Sequence, residues 1–484
     1  MRQHPIKILG YTSKTLWLLL IPIGKNLVTS NFDIQGWLKT YWLDLFVVLW
    51  IMLFAVFKWL FVFYKIGDGC ITAHTGPFGV IKTTVYFSQI SSIRVEQGII
   101  ARAFHASTLN LETQAKSITR SDIRLVISEK HINEIFELVA AKSENKPQFA
   151  VQPNNGLVVI YSVMFSSALS GFIIFGTLMW QVSRTVGAKM QDVATHMNSD
   201  LKKVDSMTLR LSESVPWIIL VIAGVILFGW IVSFTSNLLN SWNFKAVRRG
   251  REQIMITSGK YKRNKQILSR ELICYYDIRQ SLLMKLARIS SVHAQGSGFG
   301  RKKRATAAII PMTKNNEMMG SFKLLEPELG SQRTQIRPAK GTVKSFVGIP
   351  LVISLIPLAA GLTAKQFVSG MDERINSFTV ILTVPLVWYL VVQCFAYKAT
   401  SVGITNDNCT LCYCPRYQFH KVIIPRKHIS MVRLQQNPIQ KLTGTCTLAV
   451  FTDYEIRRAH KVIRLPYRET RELLAQYIDA SFLK

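Results

Sequence analysis

The sequence lacks the short motifs that mark the common enzyme classes. It contains no glycine-rich loop ending in Gly-Lys-Ser/Thr, no His-Glu-x-x-His zinc motif and no Gly-x-Ser-x-Gly turn. Its nine histidines are scattered, with no recurring partner. Because we find no nucleophile beside a base and no open metal site, the sequence predicts a protein that is not an enzyme and needs no cofactor.

Cysteines and acidic residues are scarce. The seven cysteines do not show the even, loop-bounded pattern of a secreted disulfide protein. No cleavable signal peptide is evident, because Lys25 and Asn26 follow the first apolar run where small residues would be needed. Only 28 residues are acidic against 59 basic ones, which gives a net charge of +31. In a soluble protein such an excess would suggest nucleic acid, and in a multi-span membrane protein it suggests the positive-inside rule.

Long apolar runs are abundant. Hydrophobic residues make up 49 % of the chain and its mean hydropathy is +0.21. Several runs approach or exceed the roughly 18 residues that a membrane-spanning helix needs. The pattern predicts six spans in three hairpins, at Leu16–Ile23, Leu45–Tyr64, Gly156–Trp180, Pro216–Leu239, Val343–Leu362 and Phe378–Phe395.

The distribution of charge predicts the orientation. Residues 65–155, 240–342 and 397–484 carry net charges of +2, +15 and +8, whereas the loops 25–40, 181–214 and 362–376 carry +1, +1 and 0. The positive-inside rule therefore predicts a protein of the cell membrane whose termini and three basic segments lie in the cytoplasm. This orientation accounts for the excess charge without nucleic acid as a partner.

The polar segments predict three small α+β domains. Each has short strands rich in Ile, Val and Thr and ends in a helix, near Glu129–Lys142, Asn316–Leu325 and Arg468–Ala480. The predicted organisation is a first hairpin (1–64) and domain (65–145), a second hairpin (153–241) and domain (242–330), and a third hairpin (338–396) and domain (397–484).

One stretch recurs in the three segments. Ile90–Leu109 aligns without a gap on Ile273–Val292 after a shift of 183 residues, and on Ile429–Leu448 after a shift of 339. The alignment puts a glutamine and a basic residue in shared columns: Gln97, Gln280 and Gln436, and Arg102, Lys285 and Lys441. This coincidence predicts one module that is used three times.

Two interpretations of these columns remain open. The basic residues could hold a lipid phosphate or a partner's carboxylate, since a cation near an anionic membrane gains about 1 kcal/mol. Alternatively, the columns form a corner of the fold, in which the glutamine bonds the backbone and the basic residue caps a turn.

Two local clusters are further candidates. The glycines at 296, 298 and 300 precede Arg301, Lys302, Lys303 and Arg304, which predicts either a headgroup-binding loop or a solvated cytosolic loop. Cys409, Cys412 and Cys414 are metal-ligand types, but on a strand Cys409 faces away from the other two and a fourth ligand is missing. We therefore expect no metal site there.

The first segment resembles a known family. Arg2-x-His4-Pro5 precedes a hairpin, Gly-Asp-Gly (67–69) opens the strands, and Ser88–Ile93 leads into Gln97 and Arg102. These features resemble the membrane-flanked bacterial pleckstrin-homology-like (bPH2) domain, and the three-unit plan resembles the YdbT-like proteins of Gram-positive bacteria. The resemblance implies that each domain is a curved, barrel-like sheet closed by one helix.

The resemblance also suggests a function. Some relatives are associated with resistance to membrane-active cationic bacteriocins, alongside a smaller one-domain paralogue (YdbS-like). We therefore expect a non-enzymatic complex that gives immunity to such a peptide and contacts anionic lipid headgroups. The alternatives are a lipid-binding scaffold or assembly factor in the envelope stress response, and a transporter component.

Overall fold

The computed structural model describes residues 1–13, 42–67, 69–76, 79–113, 122–140, 147–153, 155–165, 217–250, 252–296, 307–326, 329, 334–367, 372–453 and 459–477. The predicted span Leu16–Ile23, most of Gly156–Trp180, the loop 181–214 and the Arg301–Arg304 cluster lie outside these residues.

The described strands form three meander-like groups. The first group and the strand after it are β1 (Phe63–Gly67), β2 (Cys70–Thr75), β3 (Ile81–Tyr86), β4 (Ile90–Gln97), β5 (Ala106–Thr113), β6 (Ile123–Ser128) and β7 (Pro147–Val151). The second group is β8 (Lys245–Arg249), β9 (Gln253–Ser258), β10 (Arg263–Ser269), β11 (Ile273–Ser281), β12 (Ile289–Gly296) and β13 (Ala307–Lys314). The third is β14 (Ser401–Ile404), β15 (Asn408–Tyr413), β16 (Gln418–Pro425), β17 (Ile429–Gln435), β18 (Thr445–Thr452) and β19 (His460–Pro466).

The helices differ in length and role. The short or amphipathic ones are α2 (Ile99–Ala103), α3 (Glu129–Ala140), α4 (Asn155–Phe165), α6 (Leu282–Leu286), α7 (Asn315–Leu325), α10 (Pro438–Leu442) and α11 (Tyr467–Tyr477). The longer ones are α1 (Trp42–Leu60), α5 (Trp217–Ser241), α8 (Val343–Phe367) and α9 (Asp372–Ala399). In the part of the chain that the structure describes, α8 alone is long and apolar enough to cross a membrane, and the apolar helix Phe46–Leu60 is shorter.

Alternation of apolar residues explains why the strands pack as they do. In β5, Leu109 and Leu111 are fully buried, because every second side chain of a strand points to the same face. On the covering helix α3, Ile132 and Ile135 are buried and belong to one apolar stripe, which is typical of an amphipathic helix.

Two of the four described sheets join strands from different segments. The strand order is β6-β5-β4-β10-β9-β8-β7 in one and β13-β12-β11-β16-β15-β14 in the other. The remaining two are the three-stranded sheets β1-β2-β3 and β17-β18-β19. We call the antiparallel β4–β10 pairing the first joint and the β11–β16 pairing the second joint.

Each joint carries side chains into the neighbouring core. Ile267 of β10 is buried among residues of the first segment, such as Ile93 and Leu109. Ile423 of β16 is fully buried with Tyr276 and Phe322 of the second segment. The strands of neighbouring segments therefore share cores as well as backbone hydrogen bonds. Each segment thus contributes to two sheets, which differs from the single barrel per domain that the resemblance implies.

Residues before each predicted hairpin pair with strands of the sheets. Arg2 forms a bridge with Phe63, and Ile336 forms one with Val402. Strand β7, which lies between the predicted first domain and second hairpin, pairs with β8. These stretches are too short and too distant from their partner strands for local periodicity to reveal them.

Candidate functional site

The recurring stretch forms the same corner three times. A strand ends within one residue of the glutamine, a one-turn helix follows, and the next strand runs antiparallel to the first. The Nε2 amide of Gln97 donates to the carbonyl of Ala106 at 3.4 Å, and that of Gln280 donates to Ile289 at 2.9 Å. In the third corner Gln436 Nε2 donates to the carbonyl of Thr445 at 2.8 Å. The glutamine column thus ties the two strands of each corner together, which is the geometry of the structural interpretation.

The second residue after the one-turn helix closes each corner. His105, Arg288 and Gly444 have positive φ angles of 49°, 54° and 64°. Their carbonyls accept hydrogen bonds from the first backbone N–H groups of α3, α7 and α11. Because the left-handed conformation is unfavourable for residues other than glycine, its occurrence in His105 and Arg288 shows how strongly the corner is determined by its surroundings.

The first two basic residues contact the following segment. Arg102 Nη2 donates to the carbonyl of Lys260 at 3.1 Å and lies 3.3 Å from that of Tyr261, in the β9–β10 hairpin. The ammonium group of Lys285 lies 4.4 Å from the ring centroid of Phe419, at the start of β16. Both cations therefore fasten a corner to the hairpin that follows it across a joint.

Lys441 lies in the third corner, which has a larger cavity than the first. Together with Gln436, Tyr467 and Arg468 it lines a cavity of about 600 Å³. At the first corner, around Gln97, the corresponding cavity of about 330 Å³ is lined partly by residues of β9, β10 and the hairpin between them. Among the described residues, no segment of the chain fills the third corner as the β9–β10 hairpin lines the first.

The structure brings the candidate residues together only within each corner. The three corners lie in separate segments and do not form a single basic pocket. Binding of lipid headgroups by these columns and by Arg301–Arg304 stays a prediction.

Cys409 and Cys414 lie in two different environments. Cys409 packs in the core of the third segment, and burial raises the pKa of its thiol to about 12. Cys414 lies beside Val392 and Phe419, and burial raises its pKa to about 12 although Lys285 opposes this. In the part of the chain that the structure describes, no group of three or more His, Cys, Asp or Glu residues is placed to hold a metal ion.

A buried polar cluster at the second joint was not predicted from the sequence. Asp277 of β11 accepts hydrogen bonds from Arg279 Nε at 2.5 Å and, when His420 carries a proton on Nδ1, from that nitrogen at 3.0 Å. His460 Nδ1 lies 2.8 Å from the hydroxyl oxygen of Tyr413, and His293 is 95 % buried beside them. These residues come from both segments, so only the pairing of β11 with β16 brings them together.

The cluster contains histidines that are neutral when folded. Burial lowers the pKa of His293 to about 3, an effect that Arg279 reinforces and Asp277 opposes. Burial likewise lowers the pKa of His460 to about 4. Burial opposes ionisation of Asp277, but His420 and Arg279 outweigh it and hold the pKa of this carboxyl well below its usual range.

We expect acid to loosen the second joint. The unfolded histidines have a pKa of about 6.5, so they bind protons between pH 6.5 and 4 while the folded ones do not. The stability that they contribute is present above pH 6.5 and is lost as the pH falls, by roughly 1 kcal/mol per pH unit for each histidine. Hydrogen exchange of the full chain between pH 7 and 5 measures this loss at β11, β12 and β16.

The substitution His293→Leu tests the assignment. Neither ring nitrogen of His293 has a hydrogen-bond partner among the described residues, so an apolar side chain of similar size should be tolerated and should reduce the pH dependence. His74→Leu, on β2 outside the cluster, should leave it unchanged. An identical pH profile for His293→Leu and the unsubstituted protein would contradict the assignment.

Comparison with known proteins identifies one domain. The sequence profile of the bacterial PH domain family (bPH_2) matches residues 20–143. No curated protein and no solved structure matches the chain. The matched region includes β1 to β6 and α3, whose antiparallel sheets and terminal helix are those expected of a PH-like domain. Residues 20–143 of this chain therefore contain a bacterial PH domain.

Proposed function

We propose that the protein is a non-catalytic membrane scaffold in which three copies of a PH-like module are joined edge to edge on the cytoplasmic face. The observation that carries this proposal is the recurrence of the whole corner: α2, α6 and α10 begin at Ile99, Leu282 and Pro438, at the same shifts of 183 and 339 residues. The strands β5, β12 and β18 begin at the same shifts.

The membrane part of the proposal rests on the apolar helices and on charge. Each module would carry one helical hairpin, which gives six spans, and α8 is the described helix that meets the requirement for spanning. Joined sheets suit a scaffold, because a rigid cytosolic platform holds membrane helices at fixed positions. Anionic headgroups are the membrane partner that its positive charge favours.

Cysteine labelling tests the proposed topology. A cysteine introduced at Ser199 should react with a membrane-impermeant maleimide added to intact cells, whereas one at Ser258 should react only after the cells are opened. A chain without an introduced cysteine gives the background from the seven native thiols. The reverse pattern would overturn the cytoplasmic placement of the modules.

The physiological role that we propose is protection against a membrane-active cationic bacteriocin, together with a smaller one-domain paralogue. The resemblance to YdbT-like proteins supports this role. The cytosolic modules would assemble with the paralogue while the hairpins occupy or reorganise the membrane that the peptide attacks.

A killing assay tests this role. A sensitive Gram-positive host would express the chain with and without its neighbouring small paralogue, and a panel of cationic bacteriocins would be titrated against growth. We expect a selective rise of at least fourfold in the inhibitory concentration for one or two peptides. No rise for any peptide, with expression in the membrane verified, would overturn immunity and leave the scaffold as the function to study.

A further inference from the structure

We infer that β3 and β17 are complementary docking edges through which one copy of this chain binds a second copy head to tail. The inference rests on the proposed three-module arrangement. It adds to that proposal a binding partner, a second copy of the chain, and the strands that bind it. The contact between chains would have the same strand pairing as the joints within one chain.

The two internal joints have the same register. Gln97 is opposite Arg263 at the first joint, and Gln280 is opposite Phe419 at the second. Gln280 follows Gln97 by 183 residues, and Phe419 follows Arg263 by 156, which is also the distance from Ile273 to Ile429. The paired residues therefore occupy equivalent positions at the two joints, with the same strand register. The pairing recurs with the module.

At both joints the fourth strand of one segment pairs with the third strand of the next. Among the described residues, this leaves the third strand of the first segment and the fourth strand of the third segment without such a partner. Strand β3 corresponds to β10 and β16, and it is an edge of the β1-β2-β3 sheet. Strand β17 corresponds to β4 and β11, and it is an edge of the β17-β18-β19 sheet. Unpaired strand edges present backbone donors and acceptors that another strand can bind.

Side-chain exposure shows what a partner would cover. Met431 of β17 is 41 % exposed, whereas the corresponding Ser92 and Tyr275 are 1 % and 8 % exposed at the joints. On β3, Ile81 and Tyr86 are 55 % and 60 % exposed. Strand β17 therefore carries apolar surface at a position from which the joints exclude water. On β3 the exposed apolar side chains lie at positions that the joints cover only in part.

The third corner, at Lys441, fits the same contact. At the first joint the β9–β10 hairpin lies against Arg102 and helps to line the corner cavity. The start of β3 in a second copy, from Val80 to Lys82, would line the corner at Lys441 as Arg263 to Lys265 line the first corner, and it would occupy part of the cavity of about 600 Å³.

The register of the joints fixes the pairing between chains. Arg433 of one copy would lie opposite Thr83 of the next, and Val432 opposite Thr84. The residues of the joints that correspond to Thr84 are Ile267 and Ile423. The threonine makes the β3 edge more soluble when it is free, so the contact between chains should be weaker than the joints. Because the two edges differ, the contact is heterologous and produces a closed ring or a filament.

Disulfide trapping between differently tagged full-length chains tests the inference. One copy would carry Arg433→Cys and the other Thr83→Cys, and the membranes would be mildly oxidised. Directly opposite residues lie about 4.5–5.5 Å apart, within the range that a disulfide spans. We expect a species of twice the chain mass that carries both tags, and a native mass of at least two copies in detergent.

Two matched pairs serve as controls. Arg94→Cys with Gln266→Cys, the corresponding positions of the first joint, should form a link within one chain. Arg433→Cys with Thr84→Cys places the thiols on opposite faces and should link at least tenfold less. Copies that lack one introduced cysteine give the background of the native thiols.

Three results would overturn the inference: no link between Arg433→Cys and Thr83→Cys above background while the Arg94/Gln266 pair links, equal linkage of the Thr84 control, or a native mass of one copy. A failed link together with the expected labelling at Ser199 and Ser258 removes this inference alone. A reversed labelling pattern removes the proposed scaffold on which it rests.

Discussion

Replacement of Arg270 by Met is expected to destabilise the second segment by about 3–5 kcal/mol. Arg270 Nε lies 2.6 Å from Glu326 Oε2, and the two side chains are only 7 % and 4 % exposed. The substitution leaves the carboxylate in a site from which water is largely excluded, without the guanidinium that compensates its charge. Denaturant unfolding in detergent, followed by hydrogen exchange at β9 to β13, measures the change.

Two further substitutions identify the cause. The double substitution Arg270→Met with Glu326→Leu should restore most of the lost stability, because both charges leave together. The ion pair between Lys262 and Glu96 has a similar distance, 2.7 Å, but its side chains are 49 % and 25 % exposed. Lys262→Met should therefore cost no more than about 1 kcal/mol. Equal losses for Arg270→Met and Lys262→Met would show that burial does not decide the effect.

Ile423→Ala is expected to loosen the second segment although Ile423 belongs to a strand of the third. Ile423 is fully buried in the core that contains Tyr276 and Phe322. Removal of three carbons from such a site costs about 2–5 kcal/mol, because the lost burial is accompanied by a cavity. Hydrogen exchange should rise in β11 to β13 and α7 more than in β18 and β19.

The neighbouring residue provides a matched control. Ile424 is also fully buried, but it faces the core of the third segment, with Leu411 and Leu448. Ile424→Ala should therefore raise exchange chiefly in β18, β19 and α11. If both substitutions loosen only the third segment, the second joint does not couple the two cores.

Local pattern was sufficient to predict some individual features. The α3 helix is found at Glu129–Ala140 where the apolar stripe predicts Glu129–Lys142, because a period of 3.6 residues is written in the sequence itself. The columns of Gln97, Gln280 and Gln436 could be aligned from the sequence alone, and the structure then shows the carbonyl to which each amide donates.

Other features depended on contacts that sequence spacing does not reveal. Nothing local to Asp277 indicates His420, which lies 143 residues away. Arg102 could be identified as a recurring cation, but its acceptors at Lys260 and Tyr261 are defined only by the first joint.

The sequence by itself determined the composition, the net charge of +31, the spacing of the recurring stretch and the helix at Glu129–Ala140, since these follow from residue type and local periodicity. The tertiary structure alone decided that β4 pairs with β10 and β11 with β16, that Ile267 and Ile423 are buried in the core of the preceding segment, and that β3 and β17 are sheet edges. The physical reason is that strand pairing is made by backbone groups that every residue has, so the choice of partner depends on the burial and register achieved in the folded chain.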